Sequence, residues 1–371
     1  MKKDKKLKIL MTTDTIGGVW TYCMELCCAL QLYDVKIHLV TMGARMKNWQ
    51  RREVEALENV YVYETTFMLE WMHNPWADIR KCGDWLLMLK QKIEPDIIHL
   101  NSLAYGALPF KAPVIVVAHS DVYTWFLSVK KRLPPAEWNC YFHCVKKGLQ
   151  NADVVIAPSQ AMMDAIKENY LIAGECRVLY NGRGQHLFRQ SRKEYIIFSM
   201  GRLWDEAKNV KLLTDSASFI NAQIKIAGAS SFDQCSFTVP ENVQFLGRLS
   251  TEQIAKQLST AAIYVLPAKY EPFGLSALEA GLSGCALVLG DIPSLKEIWS
   301  DAAIYIDTDD AMALANTINT LLSDKELLEY YQSKALMRAK LFSSETMCKE
   351  YIYLYRQLMA QGQERSKQEL A

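Results

Sequence analysis

The sequence has 371 residues, more than a single hydrophobic core usually supports, so two domains are expected. Half of the residues are hydrophobic and 22% are charged, which is the composition of an ordinary globular protein. The 42 basic and 41 acidic residues leave a net charge of +1, which excludes a chain drawn to nucleic acid by its overall charge.

The ten cysteines contain no CxxC pair, and the six histidines lie at no metal-ligand spacing from them. We therefore expect buried free thiols and no metal site. Five lysines within residues 1–8 precede an apolar stretch that is too short for a signal sequence, and no apolar run reaches the length of a membrane span. These features predict a cytoplasmic protein.

Short apolar segments alternate with amphipathic segments, which predicts an α/β fold with parallel sheets built from βαβ units. The first half has predicted strands at 8–12, 35–40, 60–63, 97–100, 114–118, 154–157 and 177–179, with helices at 20–32, 78–92, 137–150 and 161–168. After a turn-rich segment at 181–184 the alternation begins again. The second half has predicted strands at 195–200, 222–227, 243–245, 263–266, 286–290 and 303–306, with helices at 210–219, 251–260, 274–283, 293–299 and 310–322.

The restart at residue 195 predicts two doubly wound, Rossmann-like domains. We assign residues 1–185 to an N-terminal domain and 186–344 to a C-terminal domain, with a last helix at about 345–371 packing back on the first. Ligands of doubly wound sheets bind beyond the carboxyl ends of the strands. We therefore expect a cleft between the two domains at those strand ends.

Gly17 and Gly18 follow the first predicted strand and precede a helix. Glycines in this place allow a tight turn and let backbone N–H groups approach a phosphate or a sugar. The pattern is not GxGxxG and no Walker-type lysine follows, so neither nucleotide fingerprint is met. A plain turn between strand and helix explains the two glycines equally well.

Arg202 follows the strand predicted at 195–200, and Lys208 lies close to the next helix. A strand that ends in Gly-Arg, with a lysine returning at the following helix, can place two cations over one crevice. A diphosphate carries about two negative charges, which an arginine and a lysine can balance. Taken singly, each side chain also fits an ordinary surface position.

Glu271 and Glu279 bracket the start of another predicted helix. Pro272 blocks backward extension of that helix, so we expect Glu271 on the loop, a helix opening at 273–275, and Glu279 about one turn inside it. The N–H groups of the first turn would bind anions or hydroxyls, and each carboxylate could bind a vicinal diol. The alternative is a pair of solvated acids favoured by the helix dipole.

These segments together resemble the retaining glycosyltransferases of family 4, which have the GT-B fold of two Rossmann-like domains. The spacing of Glu271 and Glu279 within EPFGLSALEA resembles the EX7E motif of that family. Gly201-Arg202-Leu203 with Lys208 resembles its GRL…K motif. Further similar segments are Gly17-Gly18-Val19, Ala118-His119-Ser120-Asp121 and the run ADVVIAPS at 152–159, so the resemblance extends from residue 8 to about residue 310.

The resemblance implies a role for each matching residue. Arg202 and Lys208 would hold the donor diphosphate. Glu279 would bind the ribose hydroxyls, and Glu271 would bind hydroxyls of the transferred sugar. His119 would lie near the anomeric carbon and complete the catalytic set with Arg202, Lys208 and Glu271. The other donor-binding residues implied are Gly17, Gly18, Gly247, Arg248, Leu249, Pro272, Phe273, Gly274 and Leu275.

Two positions depart from the family pattern. Asn209 stands where a glycine is common after the lysine, and this departure affects the capping of the following helix, since asparagine is itself a good cap. Arg183 and Gly184 stand where a hydrophobic residue and an aspartate are common after Asn-Gly. This second departure puts the geometry of the linker in question, but not the donor site.

The resemblance implies a metal-independent hexosyltransferase that transfers a sugar from a nucleotide-sugar to an acceptor hydroxyl with retention. UDP-glucose is the expected donor, with GDP-mannose and ADP-glucose behind it, and no cofactor or metal ion is expected. The expected acceptor is a polysaccharide or lipid-linked saccharide of the cell envelope. No nucleic-acid partner is expected.

Three aromatic residues, Tyr123, Trp125 and Phe126, precede a basic segment at 130–132. They predict either an acceptor contact at the inner face of the plasma membrane or an aromatic cluster beside solvated charges. Other functions stay open: a nucleotide-sugar epimerase or phosphorylase of the same fold, a dinucleotide-dependent oxidoreductase, and a noncatalytic binding protein. The absent GxGxxG disfavours the oxidoreductase, and the intact pair of glutamates disfavours the noncatalytic protein.

Overall fold

The computed structural model describes residues 6–229 and 240–369, and within them the chain forms two compact units. The first unit contains the described residues up to Thr124, then Arg132–Gly182, and the segment from Ser344 onward. The second unit contains Trp125–Lys131 and Arg183–Ser343. Each unit is built on its own parallel sheet.

The first unit contains a sheet of seven parallel strands. They are β1 (Leu7–Asp14), β2 (Val35–Met42), β3 (Val60–Glu64), β4 (Ile97–Leu100), β5 (Val114–Val117), β6 (Val154–Ala157) and β7 (Glu175–Val178). Their order in the sheet is β3-β2-β1-β4-β5-β6-β7. The order reverses between β1 and β4, and at such a switch point the loops after adjacent strands leave a crevice.

Helices connect these strands. They are α1 (Gly18–Ala29), α2 (Asn48–Glu55), α3 (Trp76–Ile93), α4 (Val122–Trp125), α5 (Asn139–Asn151) and α6 (Gln160–Tyr170). A π-helical turn at Phe126–Lys130 follows α4. The helix α6 starts at a typical cap, since the Ser159 side chain accepts a hydrogen bond from the Met162 N–H.

The second unit contains a sheet of six parallel strands. They are β8 (Glu194–Met200), β9 (Gln223–Ala227), β10 (Val243–Gly247), β11 (Ala261–Leu266), β12 (Ala286–Gly290) and β13 (Ile304–Ile306). Their order is β10-β9-β8-β11-β12-β13, so the order reverses between β8 and β11. Its helices are α7 (Val210–Ser216), α8 (Thr251–Thr260), α9 (Leu275–Leu282), α10 (Pro293–Trp299), α11 (Ala311–Ser323) and α12 (Lys325–Ala339).

Both sheets have apolar layers on their faces, as parallel sheets require. All residues of β11 and β12 are buried, and their side chains are divided between two core clusters of the second unit. The last helix, α13 (Ser344–Glu369), belongs to the first unit and contacts α1 there. Its Tyr351 and Tyr355 are fully buried in the core beside β1.

The structure confirms the predicted α/β class with two Rossmann-like sheets, and every predicted strand is present. The helices α2 and α12 were not predicted. The helix α2 buries only Gln50 and Val54, so its sequence carries no apolar stripe. The helix α12 buries a row that includes Gln332 and two alanines, which is equally hard to recognise by hydrophobic periodicity.

The nine described cysteines are free thiols. Most are at least partly buried, but Cys28 and Cys140 are exposed, so the expectation of burial is wrong for these two. Cys235 lies outside the described residues, as do the first five residues of the lysine-rich amino-terminal segment.

Candidate active site

The residues predicted to bind the donor follow three strands of the second sheet. Gly201 and Arg202 follow β8, Glu271 follows β11, and Gly247 ends β10. Because all strands of this sheet are parallel, these residues lie along one edge, beyond the carboxyl ends of the strands. Since β8 pairs with β9 and β11, Arg202 and Glu271 flank the point where the strand order reverses.

Glycines allow close backbone packing along this edge. A Cβ on Gly228, just after β9, would lie 1.9 Å from the carbonyl oxygen of Gly201, so no larger residue fits there. A Cβ on Gly201 would lie 3.4 Å from the Lys208 side chain. The aliphatic part of Lys208 therefore lies directly over the turn after β8.

Asp205 organises the turn that carries Arg202 and Lys208. Its Oδ1 accepts a hydrogen bond from the Ala207 N–H at 3.0 Å and thereby caps a short 3-10 turn, Glu206–Lys208. Its Oδ2 accepts a hydrogen bond from Arg202 Nη2 at 2.8 Å. The Asp205 side chain is 5% exposed and that of Arg202 is 43% exposed. A buried carboxylate thus anchors a guanidinium that reaches solvent, where it can bind an anion.

The Trp125–Lys131 segment packs on the same turn. Trp125 Nε1 donates a hydrogen bond to Asp205 Oδ1 at 3.1 Å, and Lys130 Nζ forms an ion pair with Glu206 at 2.6 Å. The Lys130 ammonium also lies 5.9 Å from the centre of the Trp125 ring. These contacts favour the structural interpretation of this aromatic and basic segment over an acceptor contact.

Asn209 occupies the N-cap position of α7, but its side chain makes no capping hydrogen bond. Asn209 has a φ of 51°, in the left-handed region that favours glycine and that asparagine tolerates better than most residues. Its Nδ2 donates to the carbonyl oxygens of Pro267 and Thr308, at 3.0 and 2.7 Å, instead of capping α7. The asparagine thus ties the turn after Lys208 to the loops that follow β11 and β13.

Lys208 and Glu271 form an ion pair. Lys208 Nζ lies 2.5 Å from Glu271 Oε2, and the two side chains are 17% and 13% exposed. The residues are 63 positions apart in sequence and belong to the loops after neighbouring strands, β8 and β11. The switch point therefore brings together one predicted diphosphate ligand and the predicted sugar ligand.

The helix α9 begins later than the sequence predicts. It starts at Leu275, because Gly274 has a φ of 88° and so lies outside the helical region. The Gly274 N–H donates to Glu271 Oε1 at 3.1 Å, and Ser294 Oγ donates to the Glu271 carbonyl at 2.5 Å. Glu271 is thus fixed at both its side chain and its backbone. Pro272 and Phe273 belong to the loop before α9, and Phe273 is buried in the core.

Glu279 is the fifth residue of α9, just past the first turn, and is 7% exposed. Its Oε1 accepts a hydrogen bond from Arg183 Nε at 2.8 Å. Arg183 is one of the two residues that depart from the family pattern after Asn-Gly. The structure thus pairs a predicted ribose ligand with a residue to which the sequence assigned no role.

The predicted donor-binding residues Gly247, Arg248 and Leu249 lie at and just after the end of β10. Gly247 has a φ of 65° at an irregularity in the pairing of β10 with β9, and its carbonyl accepts a hydrogen bond from the Gly228 N–H at 2.8 Å. Arg248 is exposed, and Leu249 packs partly on the core. These residues lie two strands away from Arg202 along the same edge of the sheet.

In the first unit, Gly17 and Gly18 connect β1 to α1. Gly17 has a φ of 109°, which requires glycine, and Gly18 is the first residue of the helix. Both are exposed, with no side chain to cover the N–H groups of the first turn of α1. The turn can therefore expose backbone donors to a ligand, as the sequence predicts.

His119 follows β5 in the first unit and is held by Asn101, which follows β4. The distance from His119 Nε2 to Asn101 Oδ1 is 2.7 Å. Asn101 Nδ2 donates to the Thr12 carbonyl at 2.7 Å, so the amide oxygen of Asn101 is the atom that faces the histidine. This orientation requires the His119 proton on Nε2.

Burial lowers the pKa of His119 to about 3. Burial and the neighbouring His119 together lower the pKa of His99 to about 3. The fully buried His99 contacts the hydroxyl groups of Tyr355 at 2.7 Å and Tyr22 at 3.3 Å. The His119 ring packs on Tyr22 and remains partly exposed. Both imidazoles are therefore neutral at physiological pH.

Sequence reasoning missed three residues of this region: Asn101, Asp205 and Arg183. Asn101 and Asp205 are polar residues in loops after strands, where functional side chains of α/β proteins cluster, and that position was the available signal. Arg183 was visible only as a departure from the family pattern.

The described part of the chain contains neither a cluster of metal ligands nor a membrane-spanning helix. Nowhere in 6–229 and 240–369 do three or more histidine, cysteine or acidic side chains form a group that could hold a metal ion. No helix in that part of the chain is both long enough and apolar enough to cross a membrane.

Comparison with known families agrees with this architecture. The profile of Glycosyltransferase Family 4 matches residues 16–183, and that of Glycosyl transferases group 1 matches residues 186–337. The chain belongs to the family 4 glycosyltransferases. The chain is 26% identical over 187 residues to the O-antigen chain mannosyltransferase RfbU of Salmonella typhimurium. That match covers 48% of the chain and 53% of the relative, so the chain spans about half of the relative's length.

Solved structures share the fold of the chain over nearly its whole length. Sucrose-phosphate synthase from Thermosynechococcus elongatus aligns with a TM-score of 0.80 and 21% identity, over 95% of this chain and 99% of that one. HepE from Anabaena, in complex with UDP and glucose, aligns with a TM-score of 0.75 and 17% identity, over 95% of this chain and all of that one. The two sheets thus have the GT-B architecture that the resemblance implied.

Proposed function

We propose that this glycosyltransferase transfers a hexose from a nucleoside diphosphate to a hydroxyl group of a saccharide, with retention at the anomeric carbon and without a metal ion. The observation that carries the proposal is the juxtaposition of Arg202, Lys208 and Glu271 at the switch point of the second sheet. Two cations and a carboxylate there match the charge and the hydroxyl groups of a sugar diphosphate.

The cations act on the leaving group. As the glycosidic bond to the diphosphate breaks, negative charge grows on the phosphate oxygens, and fixed cations stabilise that state more than the bound substrate. Asp205 holds Arg202 in place before the donor arrives. Lys208 is held in the same way by Glu271. This preorganisation supports turnover without a metal ion.

Glu271 binds the sugar and Glu279 binds the ribose in this proposal. Glu271 is fixed by Gly274 and Ser294, so its carboxylate can accept hydrogen bonds from sugar hydroxyls at a defined position. Glu279 lies within α9 and is more buried than Glu271. His119 is neutral, so it can exchange hydrogen bonds with a sugar without adding charge. Its place near the anomeric carbon remains a prediction.

The proposed donor is UDP-glucose, and the proposed acceptor is a polysaccharide or lipid-linked saccharide. HepE binds UDP and glucose, which supports the choice of UDP-glucose among the possible donors. GDP-mannose is the second candidate, because the Salmonella relative is an O-antigen chain mannosyltransferase. The O-antigen name also supports a glycan as acceptor.

A thermal-shift panel tests the donor. The full chain is heated with UDP-glucose, GDP-mannose, ADP-glucose and NADH, each at about 100 times an expected Kd, where binding stabilises the fold by about 2.7 kcal/mol. We expect UDP-glucose to raise the Tm most. A response only to NADH, or to no nucleotide, contradicts the proposal, and a response only to GDP-mannose replaces the donor.

Product analysis and variants test the reaction. Arg202→Ala and Lys208→Ala should each lower kcat by about 100- to 1,000-fold, with the fold intact by circular dichroism. Lys211→Ala is the matched control, because Lys211 is 70% exposed and pairs with Asp215, four residues further along α7. Isomerised nucleotide-sugar in place of transferred sugar would indicate an epimerase. Loss of activity in EDTA, restored by a divalent metal, would contradict metal independence.

A further inference from the structure

A buried ion pair joins Arg183 to Glu279. Arg183 Nε lies 2.8 Å from Glu279 Oε1, and the two side chains are 8% and 10% exposed. The partners are 96 residues apart in sequence, so the contact depends on the fold of the second unit. In the family pattern, a hydrophobic residue commonly stands at the position of Arg183.

Arg183 is fixed at both its backbone and its side chain. Its N–H donates to the Phe342 carbonyl at 3.1 Å. Its guanidinium carbon lies 5.0 Å from the centre of the ring of Phe188, which is 3% exposed. A planar guanidinium between an aromatic face and a carboxylate has little freedom to move. Arg183 therefore presents its hydrogen-bond donors to Glu279 in a single geometry.

The backbone of Glu279 is fixed within its own helix. Its carbonyl accepts hydrogen bonds from the Ser283 hydroxyl at 2.9 Å and from the Ser283 N–H at 3.1 Å. A carboxylate this deeply buried is unfavourable unless a positive partner accompanies it. A hydrophobic residue at position 183 would not compensate the negative charge of Glu279. Arg183 supplies this compensation from within the protein.

We propose that Arg183 is a positioning residue that determines ribose specificity: it keeps Glu279 ionised and oriented to accept hydrogen bonds from the ribose hydroxyls of the donor. This inference rests on the proposed function, in which Glu279 binds the ribose. A carboxylate has about four acceptor sites, so an arginine on one oxygen is compatible with a diol. A site built around such hydroxyls rejects an analogue that lacks one of them.

Removal of Arg183 weakens this discrimination. Without the Arg183 guanidinium, Glu279 would take up a proton or rotate toward solvent, and in both cases it would accept hydrogen bonds from the ribose less well. Binding of the rest of the nucleotide would continue through Arg202 and Lys208. The ratio of affinities for a nucleotide with and without its 2′-hydroxyl therefore isolates the effect of Arg183 from a general loss of binding.

The experiment measures Kd for UDP and for 2′-deoxy-UDP by calorimetry, on the full chain and its variants. The wild-type protein should bind UDP at least about tenfold more tightly than 2′-deoxy-UDP. In Arg183→Met that preference should fall below about threefold. Arg183→Lys should be intermediate, because an ammonium keeps the charge but loses the planar fork. A folded Arg183→Met variant with the wild-type preference overturns the inference.

Two further measurements keep the outcome decisive. If Arg183→Met does not fold, Arg183→Lys decides: a preference reduced by half or more supports the inference, and an unchanged preference overturns it. Glu279→Gln tests the proposed function separately. If the glutamine variant loses the preference while the Arg183 variants keep it, only the inference fails. If the thermal-shift panel selects GDP-mannose, GDP and 2′-deoxy-GDP replace the uridine pair. If the wild type binds neither UDP nor GDP, or Glu279→Gln keeps the preference, the proposed ribose site fails as well.

Discussion

Lys208 Nζ lies 2.5 Å from Glu271 Oε2, so two residues predicted to bind different parts of the donor form one ion pair. Both side chains are mostly buried, which strengthens their interaction relative to a surface pair. Removal of either one takes away the ion-pair partner that holds the other in position. The diphosphate and sugar subsites should therefore be coupled energetically.

This coupling predicts non-additive kinetics. Lys208→Met and Glu271→Gln should each lower kcat by about 100- to 1,000-fold. The double variant should lie within about tenfold of the slower single variant, because the first substitution already disrupts the pair. Initial rates of sugar transfer measure this, with Lys211→Met as control. Losses that multiply in full would mean that the two residues act independently.

Asp205 should support catalysis through Arg202. Asp205→Asn keeps the size of the side chain but removes the charge that holds the guanidinium. We expect kcat/KM to fall by roughly 10- to 100-fold, the value of a hydrogen bond between charged groups. Glu206→Gln breaks the more exposed pair with Lys130 and should leave the rate unchanged. Equal kcat/KM values for Asp205→Asn and the wild type would show that Arg202 does not depend on its hydrogen bond to Asp205.

Stability should fall as the pH is lowered below about 6.5. His99 has a pKa of about 3 in the folded protein and about 6.5 when unfolded, so between these values the unfolded chain binds more protons. The free energy of unfolding therefore decreases as the pH falls through this window, by at most about 1.4 kcal/mol per pH unit for one histidine.

Urea unfolding between pH 7.5 and pH 4.5 tests the contribution of His99. The His99→Phe variant should show a shallower dependence on pH, whatever its stability at pH 7.5. His143→Gln replaces an exposed histidine and serves as the control. If wild type and His99→Phe have the same slope, the pH dependence has another origin.

We expect the protein to be more stable with asparagine than with glycine at position 209. Asn209→Gly loses the hydrogen bonds to Pro267 and Thr308 but keeps the left-handed backbone. We expect a loss of about 1 kcal/mol, because each bond contributes about 0.5–1.5 kcal/mol and glycine relieves some strain. Asn209→Ala loses the same bonds and also adds about 1–2 kcal/mol of backbone strain. The Tm should therefore be highest for the wild type, lower for Asn209→Gly and lowest for Asn209→Ala. A higher Tm for Asn209→Ala than for Asn209→Gly would contradict this account.

The sequence predicted the strands well because apolar runs such as β11 and β12 are buried on both faces and are bounded by turn residues. It predicted the loops of Arg202 and Glu271 because their motifs follow those strands. It missed the helix α2, whose buried residues include only one apolar side chain. It could not reveal that Trp125 binds Asp205, or that Arg183 binds Glu279. These partners are 80 and 96 residues apart, and no local pattern encodes such a contact.

The backbone of Arg183 has one further consequence. Arg183 bridges to Ser343, and these are the first and last residues of the long segment that makes up most of the second unit. The chain therefore enters and leaves that segment at adjacent points, as it does in an inserted module. Such a module can be exchanged between relatives without rerouting the rest of the chain. Evolution could thus replace the unit that contains Arg202 and Glu271 while the unit that contains His119 stays in place.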